Sequence, residues 1–218
     1  MVEIKHRHSG AVIHRLQSDT LRGCVIKAVE LRYADLRNAD LSGCHIEGCS
    51  LSESDLSGAN LTCGRFVNCV IQRSDMSKTI LVNADFVDNV FDVTRLTCTQ
   101  AQSCKFRHAK LNRTEMSGGN FSGCDFFMAE LKDACLSGAN LTSANLFAAD
   151  MRGADFTRAD LRRSNMTDGK ILGAKFQSAI MTEAIGCNGR PWGYSSKQSQ
   201  PKPHKKAWWR VFTSRAAL

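Results

Sequence analysis

The chain has 218 residues, 29 Lys+Arg against 21 Asp+Glu, and a formal net charge of +8. That length admits one or two domains. No apolar run is long enough to span a bilayer, and the opening MVEIKHRHSG lacks the apolar core of a secretory signal, so a cytoplasmic protein is expected.

Residues 1–18 come first. VEIKHRHSGAVIHRL alternates like two short strands around Ser9-Gly10 and predicts a β-hairpin. Such a hairpin would cap the end of whatever follows, because an open β edge invites edge-to-edge association. His6, His8 and His14 lie in this segment with no Cys or carboxylate cluster beside them, so no metal site is assigned to them.

Residues 19–185 repeat every five positions. A large apolar residue, here the centre, stands at every fifth position from Leu21 to Met181, giving 33 repeats without an insertion. Every centre is Leu, Ile, Met or Phe except Ala101. Two residues earlier stands a small residue, with Asp19 and Asn89 as exceptions. Five residues turn a helix by about 140°, so no apolar stripe would form on one. In extended chain, residues two apart point to the same side. The small residue and the centre therefore face inward, the intervening Asp or Asn faces out, and the last two positions turn a corner. Nine of the final positions are Gly and six are Asn or Asp, residues suited to such a turn.

This phased A-(D/N)-L-x-x pattern resembles the pentapeptide repeat family, across about three quarters of the chain. The resemblance implies an all-β fold, a right-handed quadrilateral β-helix of about eight twenty-residue coils, and a bacterial source. At about 4.8 Å per coil the rod would be close to 40 Å long. Residues twenty apart would stack, so Phe66, Phe86, Phe106 and Phe126 should form one inner ladder. Residues 88–105 are the most degenerate stretch; a water or a slight bulge is expected near Asn89, and no site is assigned there.

In this phase the ten cysteines do not read as a disulfide framework. Cys24, Cys44, Cys49, Cys69, Cys104 and Cys124 occupy the inward small position and are expected as reduced, buried, apolar side chains. Cys135 points outward and is expected to be the most reactive thiol. No C-x-x-C pair, glycine-rich phosphate loop or nucleophile with an adjacent base occurs. No catalytic residue, cofactor or small-molecule substrate is therefore assigned.

Charge and apolar surface carry what remains. The repeat region is nearly neutral at −1, whereas residues 1–18 carry +2 and residues 186–218 carry +7. The gyrase-protecting quinolone-resistance branch of the family resembles duplex DNA through an acidic rod; here the acidic column Asp35, Asp55, Asp75 is short and meets Arg95. One outward column is apolar instead: Val67, Val87, Phe127 and Phe147, with Met128 beside it, form a candidate interaction patch. After Ala184 the phase ends. GCNGRPWGYSSKQSQPKP reads as a linker, and Lys205, Lys206, Trp208, Trp209, Arg210 and Phe212 make a basic, Trp-containing tail. That tail fits docking on the last coil, contact with an anionic membrane, nucleic acid or acidic protein, or no fixed structure.

The reading is a non-enzymatic scaffold with an unidentified protein partner, a second copy of itself being one candidate. Two alternatives stand beside it: a DNA gyrase-interacting resistance factor, and a membrane or nucleic-acid binder acting through the tail.

Overall fold

The computed structural model describes residues 1–193. Coil after coil, residues twenty apart pair in parallel. Glu30 bridges Ser50, Asp35 bridges Asp55, Asp40 bridges Asn60, and β3 (Val25–Lys27) pairs with β5 (His45–Glu47), which pairs with β6 (Arg65–Val67). Four ladders thus run along a β-helix type of fold. Continuous strand is scarce: beyond β6 most rungs are single-residue bridges. The reason is the five-residue period, which leaves few extended positions before each corner.

The corner geometry is uniform. Every final repeat position from Gly23 to Glu183 has a positive φ, between 51° and 77°. At most corners the amide three places after the first residue closes the turn, as where Ala84 N–H donates to Leu81 O at 2.9 Å. A positive φ at the third residue and a bond between first and fourth define a type II turn. Gly suits that position, yet Asn, Asp, Arg and even the β-branched Val93 adopt it here. Left-handed backbone costs a non-glycine residue about 1–2 kcal/mol. The neighbouring coil holds it in place, because the same residue's N–H is a ladder donor: Lys78 N–H reaches Thr97 O at 2.9 Å.

The phase read from sequence places the core. Every centre from Ile26 to Met166 is at most 2 % exposed. Phe66, Phe86, Phe106 and Phe126 stack as one ladder, with centroids 4.6, 5.5 and 5.2 Å apart. Phe91 meets Phe86 and Phe106 edge-on. Where the inward small residue is Gly119, the Phe121 ring fills the space a methyl would need. Several inward Ser, Thr and Cys are hydrogen-bonded to the coil below: Ser74 Oγ donates to Leu51 O at 2.7 Å, Thr94 Oγ1 to Ile71 O at 2.6 Å and Cys104 Sγ to Leu81 O at 2.7 Å; others, such as Ser54 and Thr114, donate within their own turn. Cys49, Cys69, Cys104 and Cys124 are therefore weak donors as well as apolar fillers.

Asn89 departs from the expected water or bulge. It is fully buried, and its side-chain amide occupies the turn 66–69 one coil below. Oδ1 accepts the Cys69 N–H at 2.7 Å, while Nδ2 donates to Phe66 O at 2.8 Å and Val87 O at 2.9 Å. The amide stands in for that turn's own backbone bond and leaves no polar atom of its own unpaired.

Residues 1–18 close the N-terminal end. β1 (Val2–His6) pairs antiparallel with β2 (Val12–Leu16), and its other edge pairs antiparallel with β4 (Ala34–Asp35). Ile4 points into the core at 1 % exposure. Arg7 ties the hairpin to the coils, donating from Nη1 to Glu53 O at 3.0 Å and lying 3.8 Å from the Asp55 carboxylate. His6 Nδ1 accepts the N–H groups of His8 and Ser9 and so holds the hairpin turn.

The C-terminal end differs from the expectation of uniform burial. Centres Ile171, Phe176 and Met181 are only half-buried. The stretch read as a linker begins with structure: Ile185 bridges Pro191, Gly186 N–H donates to Arg190 O at 2.7 Å, and Trp192 N–H donates to Ala184 O at 2.8 Å. Trp192 rests on the Phe176 ring, with centroids 5.0 Å apart.

Candidate interaction surface

The outward column on one side of the rod reads Lys27, Glu47, Val67, Val87, Arg107, Phe127, Phe147, with a twenty-residue step. The stacking brings Phe127 and Phe147 together: their rings lie 5.7 Å apart and 9° from parallel. Both are half-buried by neighbouring coils, and Met128 at the adjoining corner is 49 % exposed.

Val67 and Val87 do not join this pair in one apolar strip. Arg107 lies between, its guanidinium 4.6 Å above the Phe127 ring and its Nη1 3.1 Å from an Asp125 oxygen. A cation over an aromatic face is attracted by the ring quadrupole, so one face of Phe127 is already covered. The exposed side chain of His108 meets the same ring edge-on at 5.5 Å. The compact patch is therefore Arg107, His108, Phe127, Met128 and Phe147. Arg107 and His108 were missing from the patch read in sequence, although both stand one coil below members of it; the twenty-residue stack was the signal that could have found them.

The acidic column is neutralised. Asp35 is held by Arg37 at 2.7 Å, and that guanidinium keeps its carboxyl below the usual range. Asp55 lies beside Arg7 and Asp75 beside Arg95 at 3.4 Å. On another face Asp150 is paired with Arg152 at 2.7 Å and Lys132 at 3.6 Å. Arg7 of the hairpin, and basic residues one coil or two positions away, thus balance these carboxylates.

All ten cysteines are free. Burial pushes the thiol of Cys44 up to about 12 and that of Cys69 up to about 11. Cys135 is outward but half-buried, pinned in a rung between Glu115 and Asp155. The exposed thiols are Cys63 and Cys98, both at corners, where the positive φ swings the side chain clear of the ladder. Cys135 is thus not the most accessible thiol. Alkylation of native protein at neutral pH is expected to reach Cys63 and Cys98 first, Cys135 more slowly, and the six inward thiols only on unfolding. Peptide mapping reads the order; Cys44 or Cys124 reacting with Cys63 would mean that the inward phase is wrong.

The other candidate group, Lys205, Lys206, Trp208, Trp209, Arg210 and Phe212, lies outside the described residues.

The family model described as pentapeptide repeats matches residues 20–48, 49–88, 104–143 and 144–183 in eight copies. Its gap, residues 89–103, contains Asn89 and Ala101, two of the three exceptions in the repeat. Among solved structures, the chain is similar to HetL, a pentapeptide repeat protein involved in heterocyst differentiation regulation in the cyanobacterium Nostoc sp., at 21 % identity over 78 % of this chain and 93 % of that one, with a TM-score of 0.31. A pentapeptide repeat protein of the Arabidopsis thaliana thylakoid lumen matches at 21 % identity over 45 % of this chain and 61 % of that one, with a TM-score of 0.35. QnrB1, a plasmid-mediated fluoroquinolone resistance protein, matches at 19 % identity over 73 % of this chain and 84 % of that one, with a TM-score of 0.36. No curated protein matches. With its repeat unit matched over more than half its length, the chain belongs to the pentapeptide repeat family.

Proposed function

We propose that this protein is a non-enzymatic scaffold, a right-handed quadrilateral β-helix of about eight coils that presents the Arg107–Phe147 patch to a protein partner. The stacked Phe127–Phe147 pair carries the reading. The interior is complete without these rings, since their own repeats supply Phe126 and Leu146 as buried centres. Aromatic, Met and Arg side chains gathered on a rigid surface are the types enriched at protein interfaces. Pentapeptide repeat proteins are generally structural or interaction proteins, which supports the non-enzymatic reading. The ten free thiols support a reducing compartment, and we place the protein in the cytoplasm.

A gyrase-protecting role, the alternative raised by the family resemblance, would be served by an acidic face standing in for a phosphate backbone. The pairing of Asp35, Asp55 and Asp75 with arginines gives that reading no support here.

Phe127→Ser combined with Phe147→Ser tests the proposal. The expected result is an unchanged fold by circular dichroism, with loss either of self-association in light scattering or of a partner that the unmodified protein retains in a pull-down. Wild-type behaviour in both assays would overturn it. A supercoiling assay with gyrase and a quinolone separates the alternative: protection that survives the double substitution would favour it.

A further inference from the structure

The C-terminal end of the rod exposes the machinery that joins one coil to the next. In the interior, nearly every centre and corner residue donates its N–H to a carbonyl nineteen residues on, as Leu161 does to Ile180 and Arg163 to Thr182. On the last coil the N–H groups of Ile171, Gly173, Phe176, Ser178, Met181 and Glu183 have no acceptor among the described residues. The carbonyls of Ala174 and Ala179, which would take N–H groups of a following coil, have no donor there either. The apolar centres Ile171, Phe176 and Met181 are half-buried, and Leu172 is 81 % exposed. An unpaired sheet edge combined with a bare core layer is what terminal caps on repeat proteins exist to cover. The other end has such a cover in β1 and Ile4.

The chain itself begins to close this end. After Ile185 it folds back through the Ile185–Pro191 bridge, and Trp192 takes the Ala184 carbonyl and lies on Phe176. A cleft remains beside it, lined by Ile171, Cys187, Pro191 and Trp192. The sequence leaves from this point at Gly193, with 25 residues still to come, including Ala207-Trp208-Trp209-Arg210-Val211-Phe212. That is the apolar, aromatic and β-branched composition which suits an added strand. Eleven residues from Tyr194 to His204 reach up to about 36 Å. One side of a coil holds about three extended residues, on the order of 10 Å, so any part of the end lies within reach. Tethering keeps the segment at an effective concentration of about millimolar, an advantage a second copy lacks.

We propose that residues 205–212 form a cap on the open C-terminal end, placing Trp208 or Trp209 over Ile171, Phe176 and Met181 and satisfying ladder amides of the last coil. The occupant is this chain's own tail.

The test is amide exchange on the full chain, wild type and Trp208→Ser/Trp209→Ser, at two protein concentrations. The wild type is expected to protect the amides of Ile171, Phe176 and Met181 independently of concentration. In the double variant those amides should exchange at least about tenfold faster, while those of Leu111 to Leu141 keep their rates. Wild-type end amides exchanging at unprotected rates would overturn the proposal. So would protection that survives the double substitution; if that protection also rises with concentration, the cover is a second copy stacked end to end. Phe127 and Phe147 take no part in this experiment, so its failure is separable from failure of the patch reading.

Discussion

Leu141→Asp is expected to abolish the folded rod around its coil, whereas Asn140→Asp is expected to leave it standing. Leu141 is fully buried, one coil above Phe121 and one below Leu161, and its N–H donates to Asp160 O at 2.7 Å. Removing a buried Leu side chain costs about 2–5 kcal/mol. An uncompensated carboxylate in its place adds several kcal/mol more. In a solenoid each coil's stability comes from itself and its two neighbours, so the damage falls where little reserve exists. Asn140 is one residue away and faces outward. Its Oδ1 accepts the Thr142 N–H at 3.0 Å and the Thr142 hydroxyl at 2.8 Å. A carboxylate can accept both, so a change within about 0.5 kcal/mol is expected. Thermal melts followed by circular dichroism compare the two. Equal tolerance at both positions would end the inward–outward assignment.

The second large effect is expected at Asn89, where Asp is nearly the same shape. Asn89 Nδ2 donates to two buried carbonyls, Phe66 O and Val87 O. A carboxylate donates to neither, and its oxygen would face them at hydrogen-bond distance as a buried, unpaired charge. Asn89→Asp should therefore destabilise the protein at pH 7 by several kcal/mol. Burial raises the pKa of the introduced carboxyl in the folded state above its unfolded value near about 3.9. The penalty is then present at neutral pH, shrinks as pH falls through the folded pKa toward the unfolded one, and is gone below it, where the group is protonated in both states and regains a donor. Asn89→Ala should cost less, because Ala is the commonest residue at the inward small position and the Cys69 N–H could then close its own turn on Phe66 O, as Ala84 does on Leu81. Urea unfolding at pH 7 and pH 4 measures all three proteins. Asn89→Asp as stable as the parent at pH 7 would show that the amide's donors are dispensable.

Asn89 marks the limit of what pattern reading reached. The residue was legible as an exception to the phase, and so was its inward direction, but its role was not. That role depends on a side chain reaching into a turn of another coil, twenty or more residues back. The candidate patch divides in the same way. The alignment of Phe127 with Phe147 followed from the twenty-residue step. The Arg107 guanidinium over Phe127 followed from a rotamer, and it breaks the strip that the column alone suggested. Cys63 and Cys98 were in plain view at the final repeat position, but their greater exposure than Cys135 rests on a left-handed corner that turns them away from the ladder.

The sequence by itself determined which side chains face in and which face out, because a strict period of five in extended chain permits one phase only. It determined the stacking partners for the same reason: with no insertion between Leu21 and Met181, residue i must lie under residue i+20. The inner phenylalanine ladder is the direct consequence. The hairpin cap and the near-neutral rod were also legible in sequence, but tertiary structure decided which edge the cap covers, what the other end leaves bare and which cation meets which carboxylate. At one end the edge of β1 finds β4; at the other, six ladder amides find nothing among the described residues and Trp192 covers only part of the last layer. A repeat encodes what each coil offers its neighbour. It does not encode what happens where a neighbour is missing.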